Sequence, residues 1–472
     1  MYSGYNFYDR KKAANVTHVN DPNGAWVNQE PHWVLIEDLI GGTYEMRRRH
    51  RRYLPQEVRE LDESYDRRLA RSVCPPFVQR LERMLAGMLT RKPVRLNDTP
   101  DLIREQLFDV DLMGNDLNMW TYETARKMIR YGHIGVLVDA PTAGTVGRPY
   151  WVTYTPRDIL GWRSELSDGA QRLSMLRLSE KVTEPDGEFG EKVIDQIRVL
   201  TPGEFKIYQR KEKGDYEITD EGTTSTAEIP FSVAYSNRIG FLESRPPLED
   251  IAELNLKAYQ VQSDLDNQLH ISAVPMLAFF GFPSAAEEVS AGPGEAIAFP
   301  AEGRAEYIEP GGNSFDAQFK RLDQIQQQIN DLGLAAVLGQ KLSAETAEAK
   351  RIDRSQGDST MMSIAQQMQD MIDNSLRFHG EFLQDTRPGS CYVNRDFLGQ
   401  RLDAPDIAAL LQLYTAGTIT QKTLLDRLAD GEVLGDEFEV EEELEATQLD
   451  GLTAESESPQ ITPNQDQTTL PR

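Results

Sequence analysis

The stretch from Asn313 to Leu383 constrains this chain most: an amphipathic helix, a short Gly-flanked loop and a long Met-rich helix follow one another without a break. In the first helix Phe315, Phe319, Leu322, Ile325, Ile329 and Leu332 recur every three or four positions, while Asp316, Lys320, Arg321, Asp323 and Gln326 to Gln328 fall on other faces. That spacing predicts one buried stripe and a remaining surface that meets water. Ser314 stands where an N-cap would accept the first orphan amides, Asp316 sits where the helix dipole favours a carboxylate, and Gly333 reads as the stop. After Leu334 to Leu338 come Gly339, Gln340, Lys341 and Leu342, and then Ser343 and Glu345 supply a second cap and first turn. The stripe Met361, Ile364, Met368, Met371, Ile372, Ser375, Leu376 and Phe382 carries this helix to about Leu383, with Gly357 as its expected weak point or kink. Roughly 40 residues make a helix about 60 Å long, more than an ordinary globular domain requires. The pattern is that of a structural part, not an active site.

At 472 residues the chain exceeds what one hydrophobic core supports, so two to four regions are expected. A hydrophobic share of 39% beside 27% charged residues suits a chain that buries mixed faces against other subunits. Cys74 and Cys391 offer neither a disulfide framework nor metal-ligand spacing and read as two buried thiols. Met1 to Tyr5 lack a basic region followed by an apolar segment, and no apolar run is long enough to span a bilayer, so a soluble protein made inside the cell, without a membrane partner, is expected. The net charge of −26 argues against a nucleic-acid-coating protein, which needs a basic footprint. It is compatible with DNA sliding past a repelling wall. Nine acidic residues and no basic one lie between Asp430 and Glu445, whereas Arg47-Arg48-Arg49-His50-Arg51-Arg52 is a compact basic run.

The first thirty residues show no stable periodicity and read as a flexible arm. Helical patterns follow at Trp33 to Leu39, Arg47 to Tyr53, Glu57 to Arg71, Phe77 to Leu89, Pro100 to Phe108 and Leu117 to Arg130, leading into a buried strand at Ile134 to Asp139. From Tyr150 to Tyr235 the period changes. Strands are expected at Tyr150 to Tyr154, Leu173 to Val182, Val193 to Leu200, Glu204 to Gln209 and Tyr216 to Thr219, with turns at Pro185-Asp186-Gly187, Pro202-Gly203 and Lys213-Gly214-Asp215, giving a mostly antiparallel sheet. Pro246-Pro247 open a helix patterned by Leu248, Ile251, Leu254, Ala258, Val261, Leu265 and Leu269. Between it and the helix at Ser314 lies a small insert with strands at Met276 to Phe282, Ala296 to Phe299 and Ala305 to Ile308. A strand at Cys391 to Phe397 and a helical pair, Pro405 to Thr415 and Thr420 to Ala429, precede a disordered tail from about Leu452.

This order of parts resembles the portal proteins of tailed bacteriophages, the ring at a capsid vertex through which DNA enters and leaves. The resemblance covers roughly Trp33 to Glu445 and includes Tyr53-Leu54-Pro55 followed by Glu60, Tyr65 and Arg67-Arg68, the run Tyr131 to Pro141, and Tyr154 through Ile159 to Gly161-Trp162-Arg163. It implies an α+β, portal-like fold: a mixed helical and antiparallel-sheet wing at 31–245, a two-helix stem at 246–272 and 313–334 bracketing a small α/β clip at 273–312, and a tunnel loop at 335–343. A long kinked helix and a strand at 344–400 and a helical C-terminal crown at 401–450 would follow, then a tail at 451–472. The implied function is the channel for DNA packaging and ejection. Implied partners are further copies of the chain in a ring of about twelve with heterologous contacts, the terminase large subunit, a head-tail adaptor, the major capsid or scaffold protein, and double-stranded DNA passing without sequence specificity. The place of action would be the virion, after assembly in the host cytoplasm. Gly339, Gln340, Lys341 and Ser343 would face DNA from the tunnel loop, while Phe282, Glu287 and Glu288 would dock the packaging motor from the clip.

The residues themselves favour plainer roles at several places. The Arg47 to Arg52 run could grip DNA, but it points around its helix, so a solvated or ion-paired face is expected, some of the pairs being with carboxylates of neighbouring copies; Lys350, Arg351 and Arg354 have Glu345, Glu348 and Asp353 nearby; Met361, Met368 and Met371 suit a core or a subunit interface. No enzyme is expected, and no cofactor or metal. The chain lacks a G-x-x-x-x-G-K-[ST] loop, Gly292-Pro293-Gly294 is not a dinucleotide fingerprint, and His18, His32, His50, His133, His270 and His379 show no paired metal spacing. A self-assembling virion or scaffold protein without a DNA channel is the second reading, and a hydrolase the third.

Overall fold

The computed structural model describes residues 16–140, 147–167, 169–211, 214–273, 276–280, 304–308, 313–338, 347–395, 397, 402, 404–431, 433, 434, 440, 443, 444, 446 and 447. Helices and antiparallel sheets are mixed in an α+β arrangement, and the chain divides into two units, Met1–Arg395 and Asp396–Arg472.

The first unit starts with α1 (Gly24–Ile40), inside the segment expected to be a flexible arm. Asn23 caps it by accepting from the Trp26 amide, and Trp33, Ile36 and Leu39 are buried along one face, so the helix is held from its first turn. Then come α2 (Gly42–Arg48), a 3-10 turn at His50–Arg52, α3 (Asp62–Arg71) and α4 (Phe77–Leu89). The strand β1 (Arg95–Asn97) and α5 (Asp101–Gln106) lead to α6 (Leu117–Tyr131), capped by Asp116 and ended by Gly132 at φ 92°, a left-handed stop natural to glycine. The strand that follows, β2 (His133–Asp139), is buried nearly throughout, as its apolar run predicts.

Eight strands come next: β3 (Tyr150–Tyr154), β4 (Ile159–Ser167), β5 (Ala170–Asp186), β6 (Gly190–Thr201), β7 (Glu204–Arg210), β8 (Tyr216–Thr223), β9 (Phe231–Tyr235) and β10 (Arg238–Gly240), the last pairing with β11 (Glu243–Ser244). One sheet has the order β3-β2-β9 and the other is the meander β4-β5-β6-β7-β8, antiparallel throughout. Sequence periodicity missed β4 and β9. β4 is buried at one end and exposed at the other, and β9 is buried along most of its length and pairs with β2 far back in the chain, so neither shows a sustained alternation. Leu137, Tyr154, Ile159, Leu176, Leu178, Leu200 and Phe231 form the core between the two sheets. Gly135 is required there, since a Cβ at this position would sit 2.0 Å from the Phe231 ring.

The chain then forms α7 (Glu249–Ser272), the antiparallel pair β12 (Met276–Phe280) and β13 (Arg304–Ile308), α8 (Asn313–Leu338), α9 (Ala347–Leu383) and β14 (Ser390–Tyr392), which pairs with β1. Two boundaries differ from expectation. The helix expected to stop at Gly333 continues to Leu338, and Gly333 lies inside it, buried beside Leu81 of α4 with room for a Cβ. The strand expected at Cys391 to Phe397 is confined to Ser390–Tyr392. The helical backbone of α9 continues through Gly357.

The second unit holds α10 (Ala404–Thr415) and α11 (Gln421–Asp430), the expected helical pair. Gly417 turns the chain at φ 73°, Thr420 caps α11 by accepting from the Thr423 amide, and the Leu402 amide donates to the Gly431 carbonyl at 3.1 Å. Among the described residues no helix is long and apolar enough to cross a membrane.

Candidate functional site

The helices expected to form a stem are α7 and α8, with the insert between them. Pairing of β12 with β13 in the register Met276↔Ile308 to Phe280↔Arg304 brings the end of α7 to the start of α8, so the two helices pack antiparallel. The pair is a rod rooted at one end. Its proximal half is held by polar contacts that no periodicity reveals. Asn255, fully buried on α7, accepts from the Val78 amide at 3.1 Å and donates to the Pro75 carbonyl at 2.9 Å, which fixes the register of α7 against the start of α4. Glu249 in the first turn pairs with His32 of α1 at 2.9 Å and with Arg245 at 2.7 Å, and these two partners hold its carboxyl down at about 2. Ser263 shares a hydrogen bond with Ser72 at 2.7 Å, Gln260 donates to the Tyr53 carbonyl at 3.0 Å, and Arg71 donates to Asn267 at 2.8 Å. Past Asn267 the burial ends: Leu269 and Ile271 on α7, Phe280 on β12 and Phe319 on α8 are exposed. Arg304 lies over the Phe280 ring, 4.8 Å from its centroid.

On α8 only part of the expected stripe is buried. Ile325 and Ile329 are inside, Phe315 and Leu322 are half-buried, and Phe319 and Leu332 are exposed beside Asp316, Lys320, Arg321, Asp323 and Gln328. On α9 the Met stripe holds: Met361, Ile364, Met368, Met371, Ile372 and Leu376 are buried against β9 and β2, and Ser375 shares a 2.6 Å hydrogen bond with Ser232 of β9. The long helix thus returns from the rod into the sheet body.

The residues expected to face DNA, Gly339, Gln340, Lys341 and Ser343, and those expected to dock a motor, Phe282, Glu287 and Glu288, lie outside the described residues, as does the side chain of Ser314. The basic run forms ion pairs, with partners inside the chain where some were expected on neighbouring copies. Arg47 donates to the Ser72 carbonyl, Arg48 pairs with Glu45, Arg49 with Asp38 and Arg51 with Asp62, while Arg52 stacks on Tyr53. Lys350, Arg351 and Arg354 have side chains outside the described set.

The two cysteines and two of the histidines, His133 and His379, are buried. Both cysteines are free and buried; desolvation pushes the Cys74 thiol up to about 12, and burial together with Asp373 raises that of Cys391. Burial lowers His133 to about 3 and His379 to about 4. Neutral His379 fits its neighbours, with the Trp151 indole donating to Nδ1 at 3.3 Å and Nε2 donating to Gln106 at 2.7 Å. The main charge clusters bind elements together. Arg198 joins Asp139 of β2 and Glu180 of β5 at 2.8 Å each, Arg68 forms a two-pronged pair with Glu60, and Glu82 of α4 binds Arg126 and Arg130 of α6.

A family model described as a domain of unknown function, DUF4055, matches residues 247–383, the stretch from the opening of α7 to the end of α9. No curated protein matches the chain. Among solved structures, the chain is similar to components of gene transfer agent particles. One, from the neck of an empty particle computed with C6 symmetry, has 10% identity and a TM-score of 0.39, covering 75% of this chain and 90% of that one. A second, from the virion of a native particle, has 9% identity and a TM-score of 0.39, again covering 75% and 90%. A third, from the neck of a native particle computed with C12 symmetry, has 11% identity and a TM-score of 0.38, covering 75% and 89%.

Proposed function

We propose that this chain is the subunit of a closed ring at one vertex of a phage-like particle, a portal whose channel passes double-stranded DNA during packaging and ejection. The observation that carries the reading is the rod. Two long antiparallel helices rise from a body that locks the first half of α7, bracket an insert rooted on β12 and β13, and are followed by a third long helix that returns into the sheet body. Exposed Leu269, Ile271, Phe319 and Leu332 give the rod apolar positions that neighbouring copies would cover. The mechanism is mechanical and electrostatic, without catalysis by this chain. A ring multiplies the charge of −26 by its copy number, and a wall of that sign keeps phosphates from adhering as the duplex moves. The segment from Gly339 to Ser343 would touch the duplex, and the insert carrying Phe282, Glu287 and Glu288 would dock the terminase motor and later the head-tail adaptor.

Electron microscopy of the purified protein tests this directly. A closed ring with a pore wide enough for a duplex is expected; a filament or a compact dimer would favour a scaffold without a channel. Removal of Gly339 to Ser343 should leave rings intact and lower DNA packaging or retention, and loss of the ring would place that segment in the structural core. Replacing Glu287 and Glu288 with lysine should weaken motor docking more than ring stability, and unchanged docking would sink that part of the reading.

A further inference from the structure

The arm formed by β5 and β6 runs on past the other strands of its sheet. Beyond Glu180 and Gln196 the two strands pair only with each other, through six residue pairs from Lys181↔Asp195 to Asp186↔Gly190, while β4 reaches β5 only as far as Leu178 and β7 reaches β6 only as far as Gln196. Among the described residues the ribbon, about 20 Å long, has both edges open. Its residues are exposed apart from the partly buried Val182, Ile194 and Asp195, and Phe189 at the turn is 92% exposed. A free two-stranded ribbon is marginal in water, and a fully exposed aromatic at its tip adds nothing to the isolated subunit. Residues 181–195 carry five acids and two lysines.

A receptor of matching character lies on the same unit. A groove of about 720 Å³ opens between β5, β9 and α9. Leu173, Ile229, Phe241 and Phe378 supply its apolar lining, and Arg172, Arg238 and Arg377 stand around it with Glu165 and Glu228, Glu228 being shared by Arg172 and Arg377, so the lining carries an excess of one positive charge. Arg238 and Arg377 lie over the rings of Tyr235 and Phe378, 5.0 and 4.0 Å from their centroids, so the arginines stand beside aromatic walls. The groove cannot take its own arm. Leu173 lines it, and Asp186 lies thirteen positions further along the same paired strand, about 40 Å away.

We propose that Phe189 of one copy seats in this groove of a second copy, with the acidic arm against the arginine-bearing rim. Donor and receptor are different surfaces of one chain, so the contact is heterologous and propagates from copy to copy. It rests on the ring reading only in requiring a second copy. The test uses the full chain with Glu188→Cys and Asn374→Cys, because both native thiols are buried and Asn374 is an exposed residue of the groove. Mild oxidation should give a reducible ladder of cross-linked chains. Adding Phe189→Asp, which alters a turn residue outside the core, should lower the yield about tenfold or more, as expected for loss of an aromatic anchor. Absence of inter-chain cross-links, or a ladder indifferent to Phe189→Asp, overturns the contact. Rings seen by microscopy without cross-links would overturn the contact alone, whereas cross-linked chains that never close would support the contact and count against the ring.

Discussion

Glu82 offers the clearest measurement of how the body holds the rod. Its carboxylate, fully buried on α4, accepts from Arg130 at 2.8 Å through one oxygen and from Arg126 at 3.3 Å through the other. Gly333 of α8 packs against Leu81 on the same helix, so the clamp between α4 and α6 also sets the seat for the end of α8. In Glu82→Ala two charge-assisted hydrogen bonds are lost, each worth about 1.5–3 kcal/mol. Removing one partner of a buried pair costs about 3–5 kcal/mol when the other charge is stranded. The arginine side chains retain 20% and 21% exposure and can turn toward water, which places the expected loss near the lower end, about 3 kcal/mol. Glu82→Gln keeps one acceptor and should lose about half as much. Urea unfolding followed by Trp fluorescence measures it, since Trp120 and Trp151 are buried and in contact, with ring centroids 5.0 Å apart. A loss below about 1 kcal/mol for Glu82→Ala would refute the argument, because the cost of desolvating the arginines would then cancel the pairing. A cycle with Arg130→Ala should show coupling of about 1–3 kcal/mol.

Three further outcomes follow from the same contacts. Gly333→Ala should stabilise the protein by about 0.5–1 kcal/mol, since a Cβ there meets Leu81 at an ordinary 3.4 Å, whereas Gly135→Ala should destabilise it by about 1–3 kcal/mol or more through collision with Phe231. Paired thermal melts would separate the two, and equal effects would discount the packing geometry. Stability should fall as pH drops from about 6.5 toward 4, because His133 and His379 are lowered to about 3 and about 4 in the fold while the unfolded chain takes up protons near 6.5. Each histidine contributes a slope approaching about 1.4 kcal/mol per pH unit, and Glu249, held at about 2, adds its loss only below about 4.5. A melting temperature flat from pH 7 to 5 would contradict this. Neither Cys74 nor Cys391 should react with a thiol reagent in the native protein, both reacting after denaturation; rapid labelling of the native chain would show that the surrounding packing opens.

Local pattern alone determined most of the helices, the strands β5 to β8 of the meander and the order of long helix, insert, long helix and return. The apolar positions of α7, α8 and α9 repeat at helical spacing, and Pro202-Gly203 and Gly187 mark turns whose backbone few other residues adopt. The same pattern foretold the buried Met stripe and the ion-paired fate of the basic run, because methionine fills cores and consecutive arginines point in too many directions for one external ligand. It misplaced the start of α1, where one Asn cap and a buried indole override a polar lead, and the end of α8, where the helix carries a glycine in its interior, buried beside Leu81 of α4. Only the tertiary structure decided what depends on partners distant in sequence. Asn255 on Pro75 and Val78, Ser375 on Ser232, Arg198 between Asp139 and Glu180, and the exposed state of Phe189 and Phe319 are set by which surfaces meet. Periodicity says that a residue can face a core; packing decides whether a core is there to receive it.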